Sequence, residues 1–204
     1  MPKKRSKASV KALPEVICQS EFALAGMSSE PWSVSAPTGV SFRTLGLDNS
    51  LTGTGIIVLD QDGNIVWQET IGFGLEKDAP TREVLERIIY ITNRVLYVVR
   101  KYDVEYVAVE GYAYGKTFRR EQLAELGGVV KTQLFLSTGI VPVIVAPSTA
   151  RAVVFGKGCG GIKKAFVRPL LKNKGVSIKD PDQADAYVIA RYLRWRVLTD
   201  GKRN

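Results

Sequence analysis

Residues 43–73 read RTLGLDNSLTGTGIIVLDQDGNIVWQETIGF, and this stretch decides the fold. Its first part, 43–48, is a short, mostly apolar run ending in Asp48, and 55–60 (GIIVLD) is a second run of strand type. The Thr52-Gly-Thr-Gly55 link suits a tight turn that exposes backbone. Asp60-Gln-Asp-Gly63 then turns the chain into a third strand over 64–73. Three strands with such short connections predict an antiparallel meander, with no room for a helix between them.

Beyond the meander the apolar period changes. Leu85, Ile88, Ile89, Thr92, Leu96 and Val99 recur at helical spacing and predict a long helix over 81–102, with Thr81 as N-cap. Residues 105–110 (EYVAVE) read as a buried strand, 118–137 as a helix whose Gly127-Gly128 permits close packing, and 141–146 (VPVIVA) as another strand. This alternation is that of parallel βαβ units. A flexible Gly-rich loop over 156–161 precedes helices expected at 162–172 and 181–197, which are separated by the polar stretch 173–180. The expected fold is α/β, with a mixed five-stranded sheet flanked by helices. Its first three strands are antiparallel and its fourth and fifth parallel. Weak periodicity up to the Pro37-Thr-Gly39 turn sets a boundary near residue 40. Residues 1–40 are therefore read as a basic, flexible extension, 41–198 as the domain and 199–204 as a tail.

The 204 residues carry 29 Lys and Arg against 20 Asp and Glu, a net charge of +9, which favours a polyanionic partner. Residues 1–40 hold Lys3, Lys4, Arg5, Lys7 and Lys11 against Glu15, Glu21 and Glu30, so +7 of the charge belongs to the rest of the chain. The Lys3-Lys-Arg5 cluster reads as a solvated tail, with a DNA-grasping arm or an import signal as the functional alternatives. There is no histidine, which excludes His-dependent triads, His general bases and His-ligated zinc. Cys18 and Cys159 lie far apart without CxxC spacing and suggest neither a zinc site nor a disulfide framework. No run approaches the length of a membrane span and no apolar signal core follows the basic cluster, so an intracellular, cytoplasmic setting is expected.

Catalysis must then rest on carboxylates, lysines, hydroxyls or metal. Asp48, Glu110, Asp182 and Asp185 stand out, each at the end of an expected strand or at the start of a helix. Asp180 is a natural N-cap with Pro181 at the first helical position, which puts Asp182 and Asp185 on one face. They border the stripe Ala186, Ile189, Ala190, Leu193 and Val197 that should meet the sheet. Singly, each acid has an ordinary explanation as a turn, cap or dipole partner. Jointly they point to a divalent-metal site, because carboxylates gathered at a buried edge need a cation. Glu110 is followed by Gly111-Tyr-Ala-Tyr-Gly115, an aromatic, flexible loop where a plain connection would suffice.

Four segments resemble the RuvC-like Holliday junction resolvases of the ribonuclease H-like superfamily. They are Leu45-Gly-Leu-Asp48 with Thr52-Gly-Thr-Gly55; Val107-Ala-Val-Glu110; Pro142 to Ala146 with the Gly-rich loop and Lys163-Lys164; and Asp182-Gln-Ala-Asp185-Ala-Tyr-Val-Ile-Ala190. The resemblance implies a structure-selective endonuclease whose metal-binding and catalytic acids are Asp48, Glu110, Asp182 and Asp185. Two Mg²⁺ ions about 4 Å apart, replaceable by Mn²⁺, would share Asp48, one activating water and the other stabilising the leaving oxygen. It also implies a catalytic basic residue near the scissile phosphate, which Lys164 matches better than Lys163. An aromatic at the branch point is implied as well, for which Tyr112, Tyr114 and Phe118 are candidates. A homodimer would nick a four-way junction in two strands, leaving 5′-phosphate and 3′-hydroxyl ends. Lys116, Arg119 and Arg120 beside the Tyr loop, with Lys157, Lys163, Lys164 and Arg168, Lys172 and Lys174 further on, read as contacts to DNA phosphates, with an ordinary solvated helix face as the alternative, chiefly for Arg168 to Lys174. Arg191, Tyr192, Arg194, Trp195 and Arg196 read as a stacking and phosphate surface or as packing against the sheet.

Other classes compete. A ribonuclease of the same superfamily would keep the acids and act on RNA or RNA/DNA hybrids. The opening Leu45-Gly-Leu-Asp48, Thr-Gly-Thr-Gly and Asp62-Gly-Asn also looks like actin-like sugar kinases, but nothing after Glu110 supplies their second phosphate loop or adenosine motif, so no nucleotide cofactor is expected. A silent DNA-binding module would not need all four acids.

Overall fold

The computed structural model describes residues 31–72, 74, 79–111 and 120–200. Strands β1 (Thr44–Asp48), β2 (Gly53–Leu59) and β3 (Ile65–Gly72) form the meander. Helix α1 (Thr81–Lys101), strand β4 (Tyr106–Glu110), helix α2 (Arg120–Thr138) and strand β5 (Val143–Val145) follow. Helices α3 (Pro147–Phe155), α4 (Lys164–Asn173) and α5 (Pro181–Asp200) close the chain, with a 3₁₀ turn at Lys157–Cys159. The sheet order is β3-β2-β1-β4-β5. β1 pairs antiparallel with β2 and parallel with β4, and β5 pairs parallel with β4, as the sequence predicts.

Strand parity sorts the side chains onto two cores. Leu45, Leu47, Ile56, Val58, Val107 and Val109 face α1 and α2, whose Val84, Ile88, Ile91, Val95, Leu126, Val130 and Leu134 cover them. Ile57, Leu59, Ala108 and Val145 face the other way, into a layer built from α3, α4 and α5. Because side chains alternate along a strand, Gly46 and Asp48 share this second face with Ala108 and Glu110. α5 is the centre of that layer. Ala184, Ala186, Tyr187, Val188, Ile189, Ala190 and Leu193 are all buried, and so are the charged Asp185, Arg191 and Arg194, so the helix is enclosed on most sides.

What seats α5 so close is the absence of side chains beneath it. A Cβ on Gly46 would lie 2.1 Å from the Ala186 carbonyl oxygen and 2.4 Å from the Ala190 nitrogen. One on Gly55 would lie 2.2 Å from the Asp182 carbonyl oxygen, and one on Gly53 would lie 2.3 Å from Asp182 Oδ2. The Thr-Gly-Thr-Gly segment, read as turn chemistry, thus begins β2 and makes the floor for the first turn of α5.

Several expectations shift. α3 was not foreseen; Pro147 stands in its first turn, and Ala150, Val154 and Phe155 pack inward. α1 starts after Pro80 with no side-chain cap, so Thr81 is not its N-cap. Of its expected stripe Ile88, Thr92, Leu96 and Val99 are buried, but Leu85 and Ile89 are 50% and 56% exposed, and Val84, Ile91 and Val95 turn inward instead. Among the described residues a Cβ on Gly128 would meet nothing within 4 Å, so close packing does not require glycine at that position. Cys159 is disulfide-bonded, which the cysteine spacing did not suggest.

Within residues 31–40, grouped with the extension on sequence grounds, Trp32, Val34 and Ala36 pack on the domain while 37–40 are exposed. Val34 joins Phe42, Trp195 and Leu198 in a third small core. The Trp32 indole donates to the Val154 carbonyl at 2.6 Å and stacks on Tyr187. Arg191, Arg194 and Trp195 are buried, which settles the two readings of the last helix in favour of packing; Arg196 alone of the three arginines is exposed. Arg194 donates to the carbonyls of Gln61 and Val34, and Arg191 to that of Trp32. Among the described residues no helix is long and apolar enough to cross a membrane.

Gly46→Ala and Gly55→Ala each force α5 off the sheet and should destabilise the protein by at least about 1–3 kcal/mol in urea denaturation. Gly128→Ala, in open space within α2, should instead stabilise by up to about 1 kcal/mol.

Candidate active site

Three elements deliver the four acids to one end of the sheet. Asp48 is the last residue of β1, one step beyond the paired Leu47 and Val109, and Glu110 is the last of β4. Parallel pairing with matched ends therefore puts these two carboxyls side by side on the α5 face. Asp182 descends from the first turn of α5 and Asp185 from the start of its second. Asp180 caps the first turn, its Oδ1 accepting from the Asp182 and Gln183 backbone nitrogens at 2.8 and 3.1 Å, as its sequence position predicts. The Gln183 amide donates to Thr70 Oγ1 at 3.0 Å and ties the helix start to β3. On the other side of Asp48, the hairpin is fastened by Thr54, whose hydroxyl donates to the Ser50 carbonyl, and by Ser50 Oγ, which accepts from Gly53.

Lys164, the first residue of α4, reaches into the middle of the group. Its Nζ stands 2.7 Å from Asp48 Oδ2, 2.7 Å from Asp182 Oδ1 and 3.3 Å from Asp185 Oδ2. Burial works against its charge, but Asp48, Asp182 and Asp185 outweigh that and hold the ammonium above the ordinary lysine range. Asp185 has a second partner, Arg151, whose Nη2 donates to Oδ1 at 2.8 Å. Burial raises the Asp185 carboxyl and Arg151 opposes the rise. Glu110 is pushed up to about 9, chiefly by burial and then by its hydrogen bond to Asp48 and the nearby negative charge.

The donor set fits hard divalent cations. Four carboxylates face two cationic side chains, and the shortfall in positive charge is met by a proton on Glu110, which a bound divalent ion would make unnecessary. Among the described residues no three acids yet close around a common point in ligating geometry; the ammonium of Lys164 stands where they converge. Lysine here acts as the local counter-ion of a cluster that is too acidic to be left alone.

The other expected residues are more dispersed. Lys157 and Lys163 are exposed in the 3₁₀ turn and at the N-cap of α4. Arg168 is exposed too, and its Nε turns to the Ile178 carbonyl at 3.2 Å instead of joining the acids. Arg120 opens α2. Tyr112, Tyr114, Lys116, Phe118 and Arg119 lie outside the described residues. Arg151 went unnoticed in the sequence because the helix that presents it did; Pro147 was the available signal.

With that geometry in place, solved structures supply the comparison. Thermus thermophilus RuvC superposes with a TM-score of 0.61 and 20% identity over 78% of this chain and 97% of that one. The fold is the RuvC fold. T. thermophilus RuvC in complex with Holliday junction substrate gives a TM-score of 0.61 and 21% identity, over 78% of this chain and 96% of that one. The yeast mitochondrial Holliday junction resolvase Ydc2 gives 0.51 and 16%, with 85% of each chain covered. No protein-family model and no curated protein matches the sequence. The likeness is one of fold, a ribonuclease H-like sheet, at identities of 16 to 21%.

Because Glu110 is held near 9 against an ordinary value near 4.5, the metal-free protein takes up a proton on folding between those limits. Its stability should fall as pH rises through that window and level off above it. Glu110→Gln should flatten the slope in thermal denaturation with chelator present.

Proposed function

We propose that this protein is a metal-dependent endonuclease acting on branched DNA, with the four-way junction as its preferred substrate and a homodimer as its working form. The observation that carries the reading is the convergence of Asp48, Glu110, Asp182 and Asp185 with Lys164 at one end of a RuvC-fold sheet. Divalent cations, two Mg²⁺ in the expected arrangement with Mn²⁺ as a substitute, would be held by the four acids and supply activation of water and stabilisation of the leaving oxygen.

The chain's own groups have distinct tasks. Asp48 and Glu110 are fixed by strand ends that cannot shift without breaking the pairing of β1 and β4. Asp182 and Asp185 ride on a helix whose first turn is capped by Asp180 and tied to β3 by Gln183. Lys164 carries positive charge to the place where a scissile phosphate would meet the acids, and it is the catalytic cation of the reading. Exposed Lys157, Lys163 and Arg168, with Lys116, Arg119 and Arg120 around the Tyr112 and Tyr114 loop, serve DNA backbone binding, which the net charge of +9 assists at long range. One of Tyr112, Tyr114 and Phe118 enters the branch point. T. thermophilus RuvC has been seen with Holliday junction substrate, and the shared fold supports the same class of substrate here.

Asp48→Asn or Asp185→Asn should lower cleavage by about 10²-fold or more while junction binding, read by gel shift in Ca²⁺, persists. Substantial cleavage by either variant removes these acids from the site. A four-way junction should be cut faster than linear duplex, flap or RNA/DNA hybrid of equal length. Preference for the hybrid would replace the resolvase reading with a ribonuclease.

A further inference from the structure

Arg151 is 13% exposed at its side chain, and it bridges two elements that the acids depend on. Its Nη2 binds Asp185 Oδ1 at 2.8 Å, and its Nη1 donates to the Ile162 carbonyl at 2.9 Å. Ile162 stands two residues before Lys164, where the Gly-rich loop gives way to α4. The guanidinium is planar, so holding one of these partners fixes the direction of the other. Asp185 is left with one oxygen turned back to α3 and the other, Oδ2, turned to the centre of the cluster, 3.3 Å from Lys164 Nζ. Arg151 Nε is buried without a partner, a cost retained for the sake of the other two contacts.

We infer that Arg151 is a positioning residue for cation binding: by clamping Asp185 Oδ1 and the Ile162 carbonyl it aims Asp185 Oδ2 and the start of α4 at the same point. The inference rests on the metal-site reading above and adds to it a residue that need not touch metal or DNA. Without the clamp, Asp185 can rotate, pair both oxygens with Lys164 or turn to solvent, and the entropy of fixing it falls on the binding of the cation. A lysine at this position keeps the charge yet lacks the fork, so it can satisfy Asp185 or Ile162 but not both.

The test measures Mg²⁺ and Mn²⁺ binding to the full chain by calorimetry without DNA, alongside melting temperature. Wild type should bind, and Asp48→Asn should not. Arg151→Met should bind Mg²⁺ about 10–100-fold more weakly, with Arg151→Lys in between. Cleavage by both variants should recover as Mg²⁺ is raised, with junction affinity unchanged. Val34→Ala, which weakens the fold far from the acids, should lower the melting temperature and leave Mg²⁺ affinity alone. If Arg151→Met binds Mg²⁺ as wild type does, even with a lowered melting temperature, Arg151 is merely structural and the inference fails. If wild type binds no better than Asp48→Asn, the metal-site reading itself fails. Should Arg151→Met not fold, Arg151→Lys carries the same comparison.

Discussion

Two backbones lie almost in contact where α5 crosses the sheet. A side chain on Gly46 or Gly55 would occupy the space of the Ala186 and Asp182 carbonyls, so the last helix rests on bare strand rather than on a layer of side chains. Close approach lowers α5 until Asp182 and Asp185 come level with the strand ends. A layer of valines in the same places would raise the helix, as ordinary helix-on-sheet packing does, and Asp182 and Asp185 would then project above Asp48 and Glu110. Loss of side-chain burial at the glycines is offset by the all-round burial of α5 itself, whose alanines at 184, 186 and 190 let the contact close from the other side.

Gathering the acids creates the second constraint. Carboxylates this close repel, and burial removes the water that would screen them. The molecule answers in three ways at once: an ammonium shared by Asp48, Asp182 and Asp185, a guanidinium on Asp185, and a proton kept on Glu110. Each answer comes from a different element, so the end of the sheet also acts as the place where α3, α4 and α5 are tied together.

Much of this was legible in the sequence because its signals are local. Strand alternation and the short Gly-containing turns specify the meander, and Asp180-Pro181 announces α5 to the residue. The parity that puts Asp48 and Glu110 on one face follows from counting by twos. What stayed hidden depends on distant partners. Trp32 and Val34 show no periodicity of their own, and their bonds run to Val154 and Arg194, 122 and 160 residues away. α1 carries apolar residues on two adjoining stripes, and only packing decides that Val84 and Ile91 turn inward while Leu85 and Ile89 do not. α3 is nine residues long with three buried positions, too sparse a pattern to separate from a loop, and Arg151 was lost with it.

The contribution of α5 also bears on the order in which the protein acquires its chemistry. Asp48 and Glu110 belong to strands made early in the chain, whereas Asp182 and Asp185 follow Asp48 by more than a hundred residues and reach it only when α5 has docked on the glycine floor. Contacts of such sequence separation carry the larger loop-closure cost. A nascent chain that has folded its meander and first two helices therefore presents half of the acids and neither of the cations from α3 and α4. Such a chain holds only part of the acid cluster, which is complete only once its final helix is in place.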